Sequence, residues 1–323
     1  MKHTLKITLI LIAFFLLAQL VGLGLISKSI TGISVKDGVA SVDHTETILG
    51  ERPEMSGAGA FLYVVIGVGI GTALVLLLIK LKKVNFWKAW FFLAVMIAIS
   101  LALGVLIPKY KYIAIFLAFV LAIFKIYRPN IIIHNLTEVL MYSGIALFLA
   151  PMLTVFWASM LLVAIAVYDF IAVYKSKHMV KMAEFQSESK VFAGLFIPYS
   201  LKKVRGRQPV VASESVDASK ALKLPKTFSS SKVVVEETKN AVLGGGDIAF
   251  PLIFTGVVMD SLVLQGFSKV AAFSQSLIIT FFVTIALAGL FIFAKKDKFY
   301  PAMPVISAGC FIGYGILLLL QAL

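Results

Sequence analysis

One cysteine, four histidines and only 14% charged residues leave this 323-residue chain few of the common catalytic chemistries. Cys310 stands alone in an apolar segment, which excludes an intrachain disulfide and a cysteine-rich metal site. His3, His44, His134 and His178 are scattered at or beyond the ends of apolar runs, and no H-E-x-x-H occurs, so no metal is expected. Gly266-Phe267-Ser268 has no histidine in a neighbouring apolar run to serve it, so a serine dyad is poorly supported. Nothing in the sequence asks for an organic cofactor. Acidic residues are also few, 16 against 30 Lys and Arg, for a net charge of +14. The basic residues lie almost entirely between apolar runs, which argues for a lipid bilayer and against a nucleic-acid partner.

What the sequence has is apolar length. It is 60% hydrophobic, against about 45–50% for a soluble domain, and its mean hydropathy is +0.99. A helix crosses a bilayer in about 20 apolar residues. Nine stretches qualify: 5–26, 60–79, 86–107, 111–127, 136–152, 154–174, 242–265, 270–294 and 302–322. The fourth and fifth are short, and Pro151 marks the least defined break. The runs are continuously apolar rather than alternating, so helices are expected over a barrel. The first run exceeds a signal-peptide core and no small-x-small site follows it, so it reads as a retained span. The fold class is an all-α polytopic membrane protein, placed in the cell membrane of a prokaryote or the internal membranes of a eukaryote.

Lys and Arg set the orientation. With the N-terminus inside, 24 lie in inside segments and 6 outside, or 11 to 6 without the long loop. Nine spans then put the C-terminus outside. Three units follow: an N-terminal six-helix half (1–174), an inside and partly disordered loop (175–240), and a C-terminal three-helix half (241–323). Within the loop, Val191 to Leu201 is apolar enough to lie on the membrane surface, and 204–231 reads as a flexible linker. Lys232-Val233-Val234-Val235-Glu236 reads as a short strand.

An ionisable residue inside a span is costly and marks function. Asp169, Asp247 and Asp260 qualify, while Glu138, at the start of a span beside Asn135 and Thr137, reads as interfacial. Asp169 lies six residues before Lys175 and Asp247 seven after Asn240. At about 1.5 Å per residue both sit about 10 Å from the same edge, so they can face each other if their helices are neighbours. Two such carboxyls cannot both ionise cheaply, and the pair titrates as a unit with one proton retained near neutral pH. That arrangement serves an aspartic protease, whose ionised member takes a proton from water while the protonated member polarises the scissile carbonyl. It equally serves an ion-coupled transporter that uses the pair as a proton or cation site. Asp260, 13 residues beyond Asp247, is about 20 Å away along the helix and reads as an interfacial or helix-bonded acid.

The surroundings favour hydrolysis. Gly244-Gly245-Gly246 lets backbone approach backbone and frees amides for an extended substrate. No repeat symmetry of the transporter kind is evident. Taken together, Tyr168-Asp169, Gly244-x-Gly246-Asp247 and Pro301-Ala302-Met303-Pro304 resemble the motifs of the presenilin and signal peptide peptidase family of intramembrane aspartyl proteases, in the family's order and over nearly the whole chain. Tyr168 to Lys175 looks like the presenilin branch. The resemblance implies that Asp169 and Asp247 are the catalytic pair. It implies that Tyr168, the three glycines and the proline motif shape the substrate site. It also implies that substrates are transmembrane helices cut near the membrane edge, entering with their N-terminus outside. Met303, where the family usually has Leu, is a volume-conserving departure that implies altered fit rather than lost activity. Whether the chain acts alone, as a homo-oligomer or with accessory membrane subunits stays open. A helical substrate must unwind before water can attack, and the strand at Val233 to Val235 is expected to receive it by β-augmentation. A polar cavity open to the inside, lined by Asp169, Asp247, Tyr168 and the glycine backbone, is expected to bring the water.

Overall fold

Hydrocarbon offers backbone groups no partner, so each apolar run must satisfy its own amides by winding into a helix. The structure is a computed structural model that describes residues 5–36, 38–55, 57–128, 130–175, 182, 185–186, 189, 191–198, 240–294 and 300–323. Among these residues the helices are α1 (Leu5–Ser29), α2 (Gly57–Leu81), α3 (Val84–Leu106), α4 (Lys111–Tyr127), α5 (Ile131–Leu149), α6 (Val155–Phe170), α7 (Gly246–Leu264), α8 (Lys269–Phe293) and α9 (Met303–Ala322). All but α4 are long and apolar enough to cross a membrane once the short end turns of α5 and α6 are included. At 17 residues, α4 is about 25 Å long, the lower end of a crossing length. The expected spans therefore reappear as helices, including the break at Pro151. There a 3-10 turn, Ala150–Met152, ends α5 and the Thr154 hydroxyl caps α6 at Trp157 N. α5 starts earlier than its hydropathy suggests, because Asn130 caps it by accepting from Ile132 N at 2.9 Å.

Two small antiparallel sheets join the helices. β1 (Ile30–Lys36) pairs with β2 (Val39–His44) between α1 and α2, and β3 (Gly194–Pro198) pairs with β4 (Asn240–Gly244). The second pair corrects two expectations. The seventh helix starts at Gly246 rather than 242, because three consecutive glycines are poor helix formers and the preceding residues find their hydrogen bonds in a ladder with β3. Val191 to Pro198 does not lie on the membrane surface: Leu195 and Ile197 are 0% and 5% exposed in the core. The strand expected at Val233 to Val235, the linker 204–231 and residues 199–201 lie outside the described residues.

The bundle is organised around α7, 78% of whose membrane window is buried, against 17% for α2. α7 packs against α1, α5, α6, α8 and α9, and α6 packs against both α7 and α9. Close crossings use small residues, as lipid-embedded helices do. A Cβ on Gly144 of α5 would land on the Ala98 carbonyl of α3, and Gly309 and Gly313 of α9 lie against the backbone of α8.

Candidate active site

α6 ends at Phe170 and continues as a single wide turn, Ile171–Lys175, which leaves Asp169 at its last regular turn. Asp247 sits in the first turn of α7. The two helices are in contact, and the two carboxyls lie within electrostatic reach of each other, both half-buried. The neighbour condition attached to the sequence reading is thus met, although β4 rather than helix leads into Asp247.

Each carboxyl is held by backbone amides. Asp169 Oδ2 accepts from Met303 N at 3.1 Å, and Asp169 also bonds the backbone of Ala302. These are the first amides of α9, whose helix start is fixed by the prolines: Pro301 precedes it and Pro304 stands in its first turn. A helix N-terminus presents unpaired N–H groups and positive potential to an anion, and Pro304, having no N–H, leaves the donors of Ala302 and Met303 to do this. Asp247 bonds the Gly244 backbone. Pro251, four residues on, has no N–H to return to the Asp247 carbonyl, so that carbonyl lacks its usual donor four residues ahead. One residue later, the buried side chain of Gln19 donates to Ile248 O at 2.9 Å.

The other residues singled out from sequence fall around this pair. The Tyr168 hydroxyl is hydrogen-bonded to Thr72 Oγ1 of α2 at 2.9 Å, tying α6 to α2. A Cβ on Gly245 would collide with the ring of Tyr142, one on Gly244 would stand 3.1 Å from Asp247 Oδ2, and one on Gly246 would meet the Phe250 ring at an ordinary 3.5 Å. Pro301 and Met303 are buried, and Ala302 and Pro304 half-buried.

Two readings change. Glu138 is not a solvated acid: it is 0% exposed, in contact with Lys125, Tyr142 and the amide of Gly194. Lys125, 4% exposed, is its counter-charge and not a loop charge available to set orientation. Sequence reasoning missed this cluster because it judged Glu138 by its position near a run's end. The spacing of Lys125 and Glu138 on consecutive apolar runs was the available signal.

Asp260 also has a partner, His44 Nε2 at 3.1 Å, whose Nδ1 is 2.8 Å from Ser29 Oγ. This Ser–His–Asp line is structural. Ser29 is 0% exposed and its hydroxyl donates to Ile26 O at 2.7 Å, so Oγ is not offered to a substrate. Arg52 lies beside the cluster and donates to Thr45 O and Leu147 O at 3.1 and 3.2 Å. Burial pulls its guanidinium below its ordinary value, opposed by the charge of Asp260.

Comparison with known proteins identifies the family and the fold. The model of the family described as signal-peptide peptidase, presenilin aspartyl protease matches residues 21–323. Two structures of a presenilin family intramembrane aspartate protease, in space groups P2 and C222, share the fold. The first has a TM-score of 0.57 at 16% identity, covering 96% of each chain. The second has 0.56 at 17% identity, covering 96% of this chain and 99% of the other. A comparison with curated proteins finds no match. With the family match spanning nearly all of its length, the chain belongs to the signal-peptide peptidase and presenilin family of aspartyl proteases and is a multi-pass membrane protein.

Proposed function

We propose that the chain is an intramembrane aspartyl endopeptidase in which Asp169 and Asp247 are the catalytic pair, one on each side of the long loop. The observation that carries this reading is the convergence of three separated motifs. The Asp169 carboxyl lies within electrostatic reach of Asp247 while accepting from the first amides of the proline motif. The pair shares one proton. Its ionised member takes a proton from the attacking water, and its protonated member polarises the scissile carbonyl and then protonates the leaving amine.

A transmembrane substrate must be opened into an extended strand, and β4 is the edge suited to receive it. The N–H and C=O of Phe196 both bond the Asn135 amide at 2.9 Å, and those of Gly194 bond Glu138 and His134. The outer edge of β3 is therefore occupied by α5. In an antiparallel ladder the groups of alternate residues point the same way, so Leu195 and Ile197 face β4. Val242, opposite Phe196, then directs its N–H and C=O to β4's outer edge, while the Gly244 backbone turns to Asp247. Such an edge carries an extended peptide by main-chain hydrogen bonds and ends two residues before the Gly246-Asp247 step.

The test is cleavage of a labelled transmembrane peptide by purified protein in detergent. Wild type cuts, and Asp169→Asn and Asp247→Asn each abolish cutting while staying folded. Cleavage surviving either substitution, or ion flux into liposomes without cleavage, overturns the reading.

A further inference from the structure

Beside the aspartates lies a buried polar cluster that the two-carboxyl chemistry does not use: Lys125, Glu138 and Tyr142, exposed by 4%, 0% and 3%. Lys125 Nζ donates to Glu138 Oε1 and the Tyr142 hydroxyl to Oε2, both in close contact, and Gly194 N donates to Oε2 at 3.0 Å. A buried ion pair is weak ground for stability, since apolar replacement of both partners is often neutral or favourable. This one is notable for where its contacts lead.

Two routes run from Glu138 to Asp247. The first passes through Gly194, whose N–H is held by Glu138 and whose carbonyl accepts from His134 Nε2 at 2.8 Å. Gly194 has φ +144°, and a Cβ there would strike the Leu243 carbonyl and the Phe192 ring, so only glycine fits between α5 and β4. It stands opposite Gly244, the residue whose backbone bonds Asp247. The second route passes through Tyr142, whose ring fills the space beside Gly245. Both routes end on the glycine turn that aims Asp247.

We propose that Glu138, with Lys125 as its counter-charge, is a positioning residue for peptide cleavage: through Gly194 and Tyr142 its one carboxylate fixes the Gly244–Gly246 turn and the register of β4. A loosened carboxylate grip moves the turn, and with it both the rate of attack and the bond presented. This rests on the reading of Asp247 as catalytic.

The experiment uses the full chain in detergent with the labelled transmembrane peptide. It compares wild type, Asp247→Asn, Tyr142→Phe and the double variant Glu138→Gln/Lys125→Met. Tyr142→Phe keeps the ring and removes one donor, and the double variant leaves no lone buried charge. Tyr142→Phe is expected to lower kcat about tenfold with KM within about twofold, a melting temperature near wild type and a broadened set of product masses. The double variant is expected to lose at least as much. Wild-type kcat per folded molecule and unchanged product masses in both variants overturn the proposal, and so does a fall in melting temperature alone. If the double variant does not fold, Tyr142→Phe decides. Cleavage by Asp247→Asn sinks the two-aspartate reading itself, whereas an inert Asp247→Asn beside unaffected Tyr142→Phe and double variants sinks only the role of Glu138.

Discussion

Met303 N donates to Asp169 Oδ2 at 3.1 Å, joining residues 134 apart in sequence. The proline motif therefore meets the carboxyl through its backbone, and the Met303 side chain, 3% exposed, is packed into the bundle. Met303→Leu is accordingly expected to keep kcat within about threefold and to cost less than about 1.5 kcal/mol of stability. Met303→Pro, which removes the donor, is expected to lose cleavage by more than tenfold. Peptide-cleavage kinetics with a thermal melt on each variant checks the contrast.

The three glycines differ in what surrounds them. A Cβ on Gly245 would come within 2.7 Å of Tyr142 Cζ, and one on Gly246 would meet the Phe250 ring at 3.5 Å. Overpacking of the first kind costs about 1–3 kcal/mol, whereas Gly→Ala where the backbone already suits alanine gains about 0.4–1 kcal/mol. Gly245→Ala should lower the melting temperature and Gly246→Ala should hold or raise it. The reverse order in a thermal-shift assay would show that the turn is not packed on Tyr142.

Much of this was legible in the sequence because a bilayer leaves so few solutions. Continuous apolar runs must be helices, so the span pattern followed from hydropathy, and Pro151 marked the break between α5 and α6. Acids in apolar runs stand out by cost, so Asp169 and Asp247 were visible at once. What was hidden depends on partners far away in sequence. That β4 replaces the first turns of the seventh helix depends on Gly194 to Pro198 arriving alongside it. That Glu138 is buried depends on Lys125 facing it from another helix. A periodicity argument sees one segment at a time and weighs neither.

The edge geometry of β4 yields a proline test. Val242 directs its N–H away from β3, so Val242→Pro removes a donor offered to substrate without breaking the ladder, as proline is tolerated on an edge. It is expected to lower kcat/KM at least tenfold with little change in melting temperature. Leu243→Pro, which takes a bond from the ladder with β3, should instead destabilise the protein. Unchanged kcat/KM in a folded Val242→Pro variant would remove strand addition at β4.

At the far end of α7, the contact between His44 and Asp260 can be separated from catalysis. Ser29 gives its proton to Ile26 O at 2.7 Å, which leaves its oxygen facing His44 Nδ1 at 2.8 Å, while His44 Nε2 meets Asp260 Oδ2 at 3.1 Å. The resulting pair pins the β1–β2 hairpin to α7, and the remaining oxygen of Asp260, Oδ1, has no hydrogen-bond partner among the described residues. Removing the imidazole leaves a buried acid without its donor, a cost of about 1–3 kcal/mol, so His44→Ala should lower the melting temperature clearly. Asp260→Asn should lower it less, because its amide oxygen still accepts. The cluster is about 20 Å along the helix from Asp247, so the peptide kcat of the folded fraction should stay at the wild-type value in both. A double-mutant cycle on melting should return a coupling between the two positions, and a loss of kcat in folded Asp260→Asn protein would instead tie this end of α7 to the chemistry.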